Sequence, residues 1–330
     1  MNDQTLKNCI SLLECRDRIK SVFIWDNSLT HLACAGIYFT KGLDVDISVL
    51  KGCKELLKYK VGPFSNFKGA ARSPIVSMLA TSKNPEQTLD NALFVYQLLK
   101  KEFWTSSYLP LTAMIIAQTI EPAQYENVVK RTRRIYSIIK KEHPFLTSSE
   151  DCANCALMAL SEKSDDELIN DIESCYRILS TYFFSSNAIQ SLSHVLALGQ
   201  GSQEEKCSRV MEIFNGLKAA GNKYGTRYEL PTLGVLALTS VPTQLIVNEM
   251  IEINQWLSQQ RGFGFFSSVT AKQRLMYAGI VALLEYINID AMQTTAVNSM
   301  ISITLATEAA MCAAISAGAA ANASANSSSN

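Results

Sequence analysis

Three stretches decide the fold: LDNALFVYQLLKKEF at 89–103, VKRTRRIYSIIKKEH at 129–143 and INDIESCYRILSTYF at 169–183, which follow one another at a constant step. In the first, Leu89, Ala92, Tyr96, Leu99 and Phe103 recur at spacings of three and four, so they share one face of a 3.6-residue helix. Val129, Thr132, Tyr136, Ile139 and His143 repeat the pattern, as do Ile169, Ile172, Tyr176, Leu179 and Phe183. A slightly shorter step leads to Cys207, Val210, Phe214 and Leu217, and a further full one to Val247, Met250, Asn254 and Leu257. The spacing predicts one supersecondary unit used repeatedly, with Tyr96, Tyr136, Tyr176 and Phe214 in equivalent, largely buried places.

Working outward, a short and nearly all-apolar run precedes each amphipathic helix. These runs lie at Ile75–Ala80, Met114–Ala117, Ala156–Leu160, Val195–Leu198 and Val235–Leu238. Ala and Leu outweigh β-branched residues in them, which favours helix over strand, and a helix apolar on every side is buried on every side. Pro85, Pro122 and Pro242 fall at the expected first positions of long helices, where proline loses no intrahelical bond. Ser164-x-x-Glu167 and Ser202-x-x-Glu205 read as capping boxes at the equivalent points.

Nearer the start, residues 2–20 read as a lone amphipathic helix, 29–39 as the next, and Asp46 as the cap of a third that runs to Lys60. Residues 64–72 read as an irregular loop. Two helices in each unit of roughly 40 residues is the signature of an all-α, helical-hairpin array. An open curved solenoid and a closed α/α ring both satisfy it. Residues 1–290 form the expected repeat domain, 291–319 an Ala/Ser/Met-rich helix and 320–330 a low-complexity tail without fold.

Thirty basic residues balance thirty acidic ones, so the surplus that a nucleic-acid binder needs is absent. At 48% apolar and 18% charged, the chain has ample material for a continuous core. The nine cysteines fall within helices, which predicts packed thiols rather than a disulfide framework. No basic region followed by an apolar run opens the sequence, so a cytoplasmic location is expected. Residues 291–318 are long enough to cross a bilayer, but alanine contributes little transfer energy and no flanking Lys or Arg anchors them; membrane insertion is not expected.

Several residues invite chemistry. Cys152-x-x-Cys155 with Cys175 and His194 has the ligand types of a zinc site, yet their columns are packing columns, and no metal is expected. His143 shares a column with Phe103 and Phe183, which predicts a structural histidine, and His31 has no acidic or cysteine partner at useful spacing. Gly216 and Gly221 have phosphate-loop spacing, but Asn222-Lys223 follows and no strand precedes. Gly262-Phe263-Gly264-Phe265-Phe266 reads as a turn. Asp165-Asp166 with Asp171 resembles half of an aspartate-rich motif, but Ile169 replaces the third carboxylate. Asp44-Val45-Asp46 is likewise incomplete, so helix-start acids explain both. Lys130, Arg131, Arg133, Arg134, Lys140 and Lys141 form the densest basic patch, read as a solvated face. No catalytic, cofactor-binding or metal-binding residue is assigned.

Phe64-Ser65-x-Phe67-x-Gly69, the Tyr-x-x-Leu/Ile long helices and Ala310–Ile315 together resemble a bacterial family catalogued as domain of unknown function 4003. The resemblance implies a cytoplasmic bacterial protein and assigns no site. The expected role is a protein or peptide interaction module, since stacked hairpins present extended surfaces. The alternative is an enzyme whose site lies in the central cavity of a closed α/α ring.

Overall fold

A computed structural model describes residues 1–289, apart from Thr40, Ala70, Phe265, Phe266 and Ser268. Among the described residues are fourteen α-helices and no strand. The first three are α1 (Asp3–Val22), α2 (Ser28–Phe39) and α3 (Ile47–Lys60). Short helices α4 (Arg72–Ala80), α6 (Leu109–Thr119), α8 (Cys152–Leu160), α10 (Ser186–Leu198) and α12 (Leu230–Ala237) then alternate with long ones. The long helices are α5 (Pro85–Glu102), α7 (Tyr125–Glu142), α9 (Asp165–Leu179), α11 (Gln203–Ala219) and α13 (Thr243–Ser258), and α14 (Ala271–Ile289) closes the series. The starts at Pro85, Tyr125, Asp165, Gln203 and Thr243 keep the even stepping read from the sequence, including its one shorter interval.

The local chemistry fixes these boundaries. Asp46 accepts from the amides of Ser48 and Val49, and Asn84 caps α5 with Pro85 at its first position. Both expected capping boxes form, and a third, Ser148 with Asp151, opens a 3-10 turn ahead of α8. Two prolines sit slightly earlier than expected: Pro122 opens a 3-10 turn before α7, and Pro242 is the cap residue of α13. The segment 64–72 is also more ordered than a plain loop. Ser65 caps a 3-10 turn at Asn66–Lys68 that drives Phe67 into the core, and Arg72 already belongs to α4.

The chain forms two compact units. Residues 11–133 make one, in which α2 and α3 pack on α4, α5 packs on α6, and Gln118 donates to the Met78 carbonyl at 2.9 Å. Residues 1–10 with 134–289 belong to the other, where α10 packs on α8, α9 and α12, and α11 on α12 and α13. In that unit Thr5 donates to Glu249 at 3.0 Å, and the amino group of Met1 pairs with Glu252. A Cβ on Gly234 would fall 2.6 Å from Leu192, which is how closely α12 lies on α10.

The short helices are buried on nearly every side, as their composition predicts: every residue from Leu109 to Ala117 is buried, and so is every residue of α12, the exceptions lying at helix ends such as Thr119 and Asn187. In the long helices the expected columns of Leu89, Ala92 and Leu99 and their counterparts are almost all buried, but the aromatic column is displaced from the centre by one residue. Val95, Ile135, Cys175, Ile213 and Ile253 are 0% exposed, whereas of the aromatic column only Tyr96 is buried and Tyr136, Tyr176 and Phe214 are half-buried. One residue turns a helix by about 100°, so the rings stand at the edge of the buried face rather than at its centre. There they meet the neighbouring loops: Tyr96 packs edge-on against Phe67 at 5.2 Å, Tyr176 against His143 at 4.7 Å, and Phe214 edge-on against Phe183 at 5.1 Å.

Candidate functional site

The loops that follow α1, α3, α5, α7 and α9 each carry an aromatic ring held in solvent. In chain order these are Trp25, Phe64, Trp104, Phe145 and Phe184; the loops after α11 and α13 instead bury their aromatics, Tyr224 and Phe263. Their exposures are 91%, 98%, 95%, 98% and 102%, so these rings touch almost nothing of their own chain. Single exposed hydrophobic residues are ordinary, but five at one recurring position are not scatter.

Local geometry explains how each ring is turned out. Phe103 ends α5 in extended conformation, its amide still bonded to Leu99 O at 2.8 Å, and its side chain is buried. The next residue, Trp104, must therefore point away from the core. Phe183 and Phe184 repeat the arrangement, and Phe23 is the buried partner of the first loop. The signal was legible in the sequence as Phe-Trp-Thr-Ser-Ser at 103–107, Phe-Leu-Thr-Ser-Ser at 145–149 and Phe-Phe-Ser-Ser at 183–186. None of these residues carries a charge, so no titratable pattern marks them.

Within 11–133 the three loops are tied in series. Arg72 lies over the Phe23 ring at 5.9 Å and faces Asp26 at 3.9 Å, while Asp26 accepts from Ser73. Asn66 donates to the Ser106 carbonyl at 3.0 Å and to Tyr96 at 3.3 Å, which joins the loop of Phe64 to that of Trp104. Within 134–289, Lys140 donates to the carbonyls of Pro144 and Thr147, and Gln190 donates to Thr147 at 3.0 Å, fixing the loop of Phe145.

The residues singled out from sequence serve the fold. Nε2 of His31 lies 2.8 Å from the Phe23 carbonyl, and that of His143 lies 2.9 Å from Glu173. Cys175, on α9, and Cys152 and Cys155, on α8, are buried reduced thiols. No group of three His, Cys, Asp or Glu among the described residues could hold a metal ion. Gly221, at φ 79°, is the left-handed turn that ends α11, and a Cβ on Gly216 would fall 2.9 Å from Val247. Of the basic run, Lys130 faces Glu126 at 3.9 Å, Arg133 covers Phe103 at 5.3 Å and Arg134 pairs with Asp165.

Asp171 is not a helix-start acid but the centre of an ion network. It accepts from Lys163 at 2.8 Å and Lys206 at 3.0 Å, and from Gln203. Lys163 also donates to Ala197 O, and Lys206, only 3% exposed, lies 3.5 Å from Gly199 O. Beside the network a shallow groove of about 350 Å³ is lined by Glu205, Lys206, Arg209, Glu212 and residues 237–239. Arg209 closes its floor by donating to the carbonyls of Ala237, Thr239 and Val241.

His194 and Asp151 form a second buried pair, Nδ1 to Oδ1 3.7 Å. Burial pushes Asp151 up to about 7, against the Ser148 amide that lowers it. Burial, with His143 nearby, holds His194 down at about 3. Asp151 therefore contributes stability that is full below about pH 3.9 and lost as pH rises to about 7. His194 contributes stability that is full above about pH 6.5 and lost as pH falls to about 3. The slopes cancel between about pH 4 and 6.5. Each arm is on the order of 4 kcal/mol. In Asp151→Asn, thermal denaturation should show a melting temperature that climbs from pH 4.5 to 6.5 relative to wild type and no longer declines above it. Parallel curves for the two proteins would refute the assignment.

These features define an all-helical protein whose most distinctive surface is its exposed aromatic loops. It belongs to the family described as protein of unknown function DUF4003, whose model matches residues 17–310. No curated protein and no solved structure matches the chain.

Proposed function

We propose that this is a helical-hairpin interaction module, an array of stacked two-helix units that binds a protein or peptide, and not a catalyst. The observation that carries the reading is the pair Phe145 and Phe184, 98% and 102% exposed in the loops after α7 and α9 of the unit of residues 134–289, with Tyr182 at 56% in the second of them. Exposed aromatics on rigid supports are the residues that anchor interfaces, because burial against a partner recovers apolar area at little cost in side-chain freedom. The even stepping of the long-helix starts supports the array, and the use of His31, His143 and Asp171 in structural pairs supports a non-catalytic role.

The enzyme alternative has one observation in its favour, the Asp151–His194 pair. Its side chains are 8% and 1% exposed, which leaves substrate no approach to them. The proposed setting is the cytoplasm of a bacterium. In native cell extract the wild-type chain should migrate in a complex larger than the chain itself, and Phe145→Ser with Phe184→Ser should return it to its own size with its melting temperature unchanged. Migration of the wild type as the free chain would overturn the reading.

A further inference from the structure

The balanced net charge of the chain conceals a division. Residues 11–133 carry sixteen Lys and Arg against eleven Asp and Glu, and the remainder carries fourteen against nineteen. The basic unit is also the one that holds Trp25, Phe64 and Trp104, joined in series by Arg72 and Asn66. Ile24 and Tyr59, 63% and 87% exposed, extend the set to five. We propose that these loops dock the protein on an anionic lipid surface. This goes beyond the binding role assigned to Phe145 and Phe184 and does not depend on it.

Exposure alone does not separate lipid from protein, since Phe145 and Phe184 are as free as Trp25, Phe64 and Trp104; the sign of the surrounding charge does. A bilayer interface itself supplies the apolar medium, and Trp, Tyr and Phe are the residues that settle there. The charges around the rings have the sign that an anionic leaflet attracts. Lys20, Lys100 and Lys101 are exposed in the last turns of α1 and α5 and Lys58 in that of α3, where it pairs with Glu55 at 3.2 Å; half-buried Glu102 is the acidic residue that ends α5, so basic groups outnumber acidic ones beside the loops. Asp26 is the acidic residue within these loops, and it is turned inward onto Ser73 and Arg72. No helix among the described residues is long and apolar enough to cross a membrane, so the attachment would be peripheral.

The test uses the full chain with vesicles of phosphatidylcholine alone and of phosphatidylcholine with phosphatidylglycerol. Co-sedimentation measures binding. Tryptophan emission reports insertion, since Trp25 and Trp104 are two of the three tryptophans. The expected result is binding to the phosphatidylglycerol vesicles at least about tenfold stronger than to the neutral ones, with a blue shift, weakened by salt. Trp25→Ser with Phe64→Ser and Trp104→Ser should weaken it by at least about tenfold while the melting temperature stays that of wild type. Lys100→Glu with Lys101→Glu should weaken it without removing a ring. The proposal is overturned by absence of vesicle binding, by equal binding of neutral and anionic vesicles, or by undiminished binding of the triple-serine variant. It is equally overturned if the same three rings prove to be covered by a soluble protein in a complex that excludes vesicles.

Discussion

Asp171→Ala should lose roughly 3–5 kcal/mol of stability, because it strands two ammonium groups that the fold has taken out of water. Lys206 is the more costly of the two at 3% side-chain exposure; Lys163 keeps 15% and its own carbonyl partners. Lys163, Lys206 and Gln203 hold the Asp171 carboxyl below the usual range even though burial alone would raise it. Its contribution is accordingly present above about pH 3.9 and is lost as pH falls through the depressed value, so the network adds to the acid limb of unfolding. Urea denaturation at neutral pH measures the loss, and a change under about 1 kcal/mol would mean that Lys206 reaches water when its partner is removed. Replacing Asp171 together with the more deeply buried lysine, Asp171→Leu with Lys206→Met, should recover part of the loss, since a well-packed apolar pair is often as stable as a buried ionic one and Lys163 keeps its carbonyl partner Ala197.

Ile135→Ala should cost about 2–5 kcal/mol, and Tyr136→Ala, although it deletes a larger side chain, about 1–2 kcal/mol. The order follows from burial: Ile135 is 0% exposed at the centre of the packed face, whereas Tyr136 stands half-buried at its edge. The transfer and cavity terms both fall when the deleted atoms already touched solvent. Paired denaturation curves decide the matter. A larger loss for Tyr136 would restore the aromatic column to the centre of the core.

This one-residue difference shows what the sequence could and could not convey. Periodicity placed the long helices, and the proline and serine caps placed their starts to within a few residues, because those signals are local. Periodicity does not tell the centre of a buried face from its edge when both positions are apolar: Val95 and Tyr96 fit the same stripe, and so do Ile213 and Phe214. Only the neighbouring loop, which brings Phe67 to Tyr96 and Phe183 to Phe214, decides which ring faces sideways. The Asp171 network was illegible for the same reason, since Lys163 and Lys206 lie 8 and 35 residues away in sequence. The aromatic loops were different. Their regular recurrence was in the sequence throughout, but an apolar residue in a loop does not announce whether it packs or projects. The expected helix at 291–319 and the tail at 320–330 lie outside the described residues.

The near-complete burial of the short helices also bears on how the chain is made. Every side chain of α12 is covered, and part of that cover is α14, which is complete only at Ile289. At ribosomal rates of about 5–20 residues per second, α12 waits on the order of 3–10 s between its own synthesis and that of its last neighbour. During that interval a segment with no polar face has nothing of its own chain on one side. Nascent chains halted between Ala237 and Ala271 are thus the ones that need a chaperone most, and a gene fragment that ends there would be expected to yield inclusion bodies.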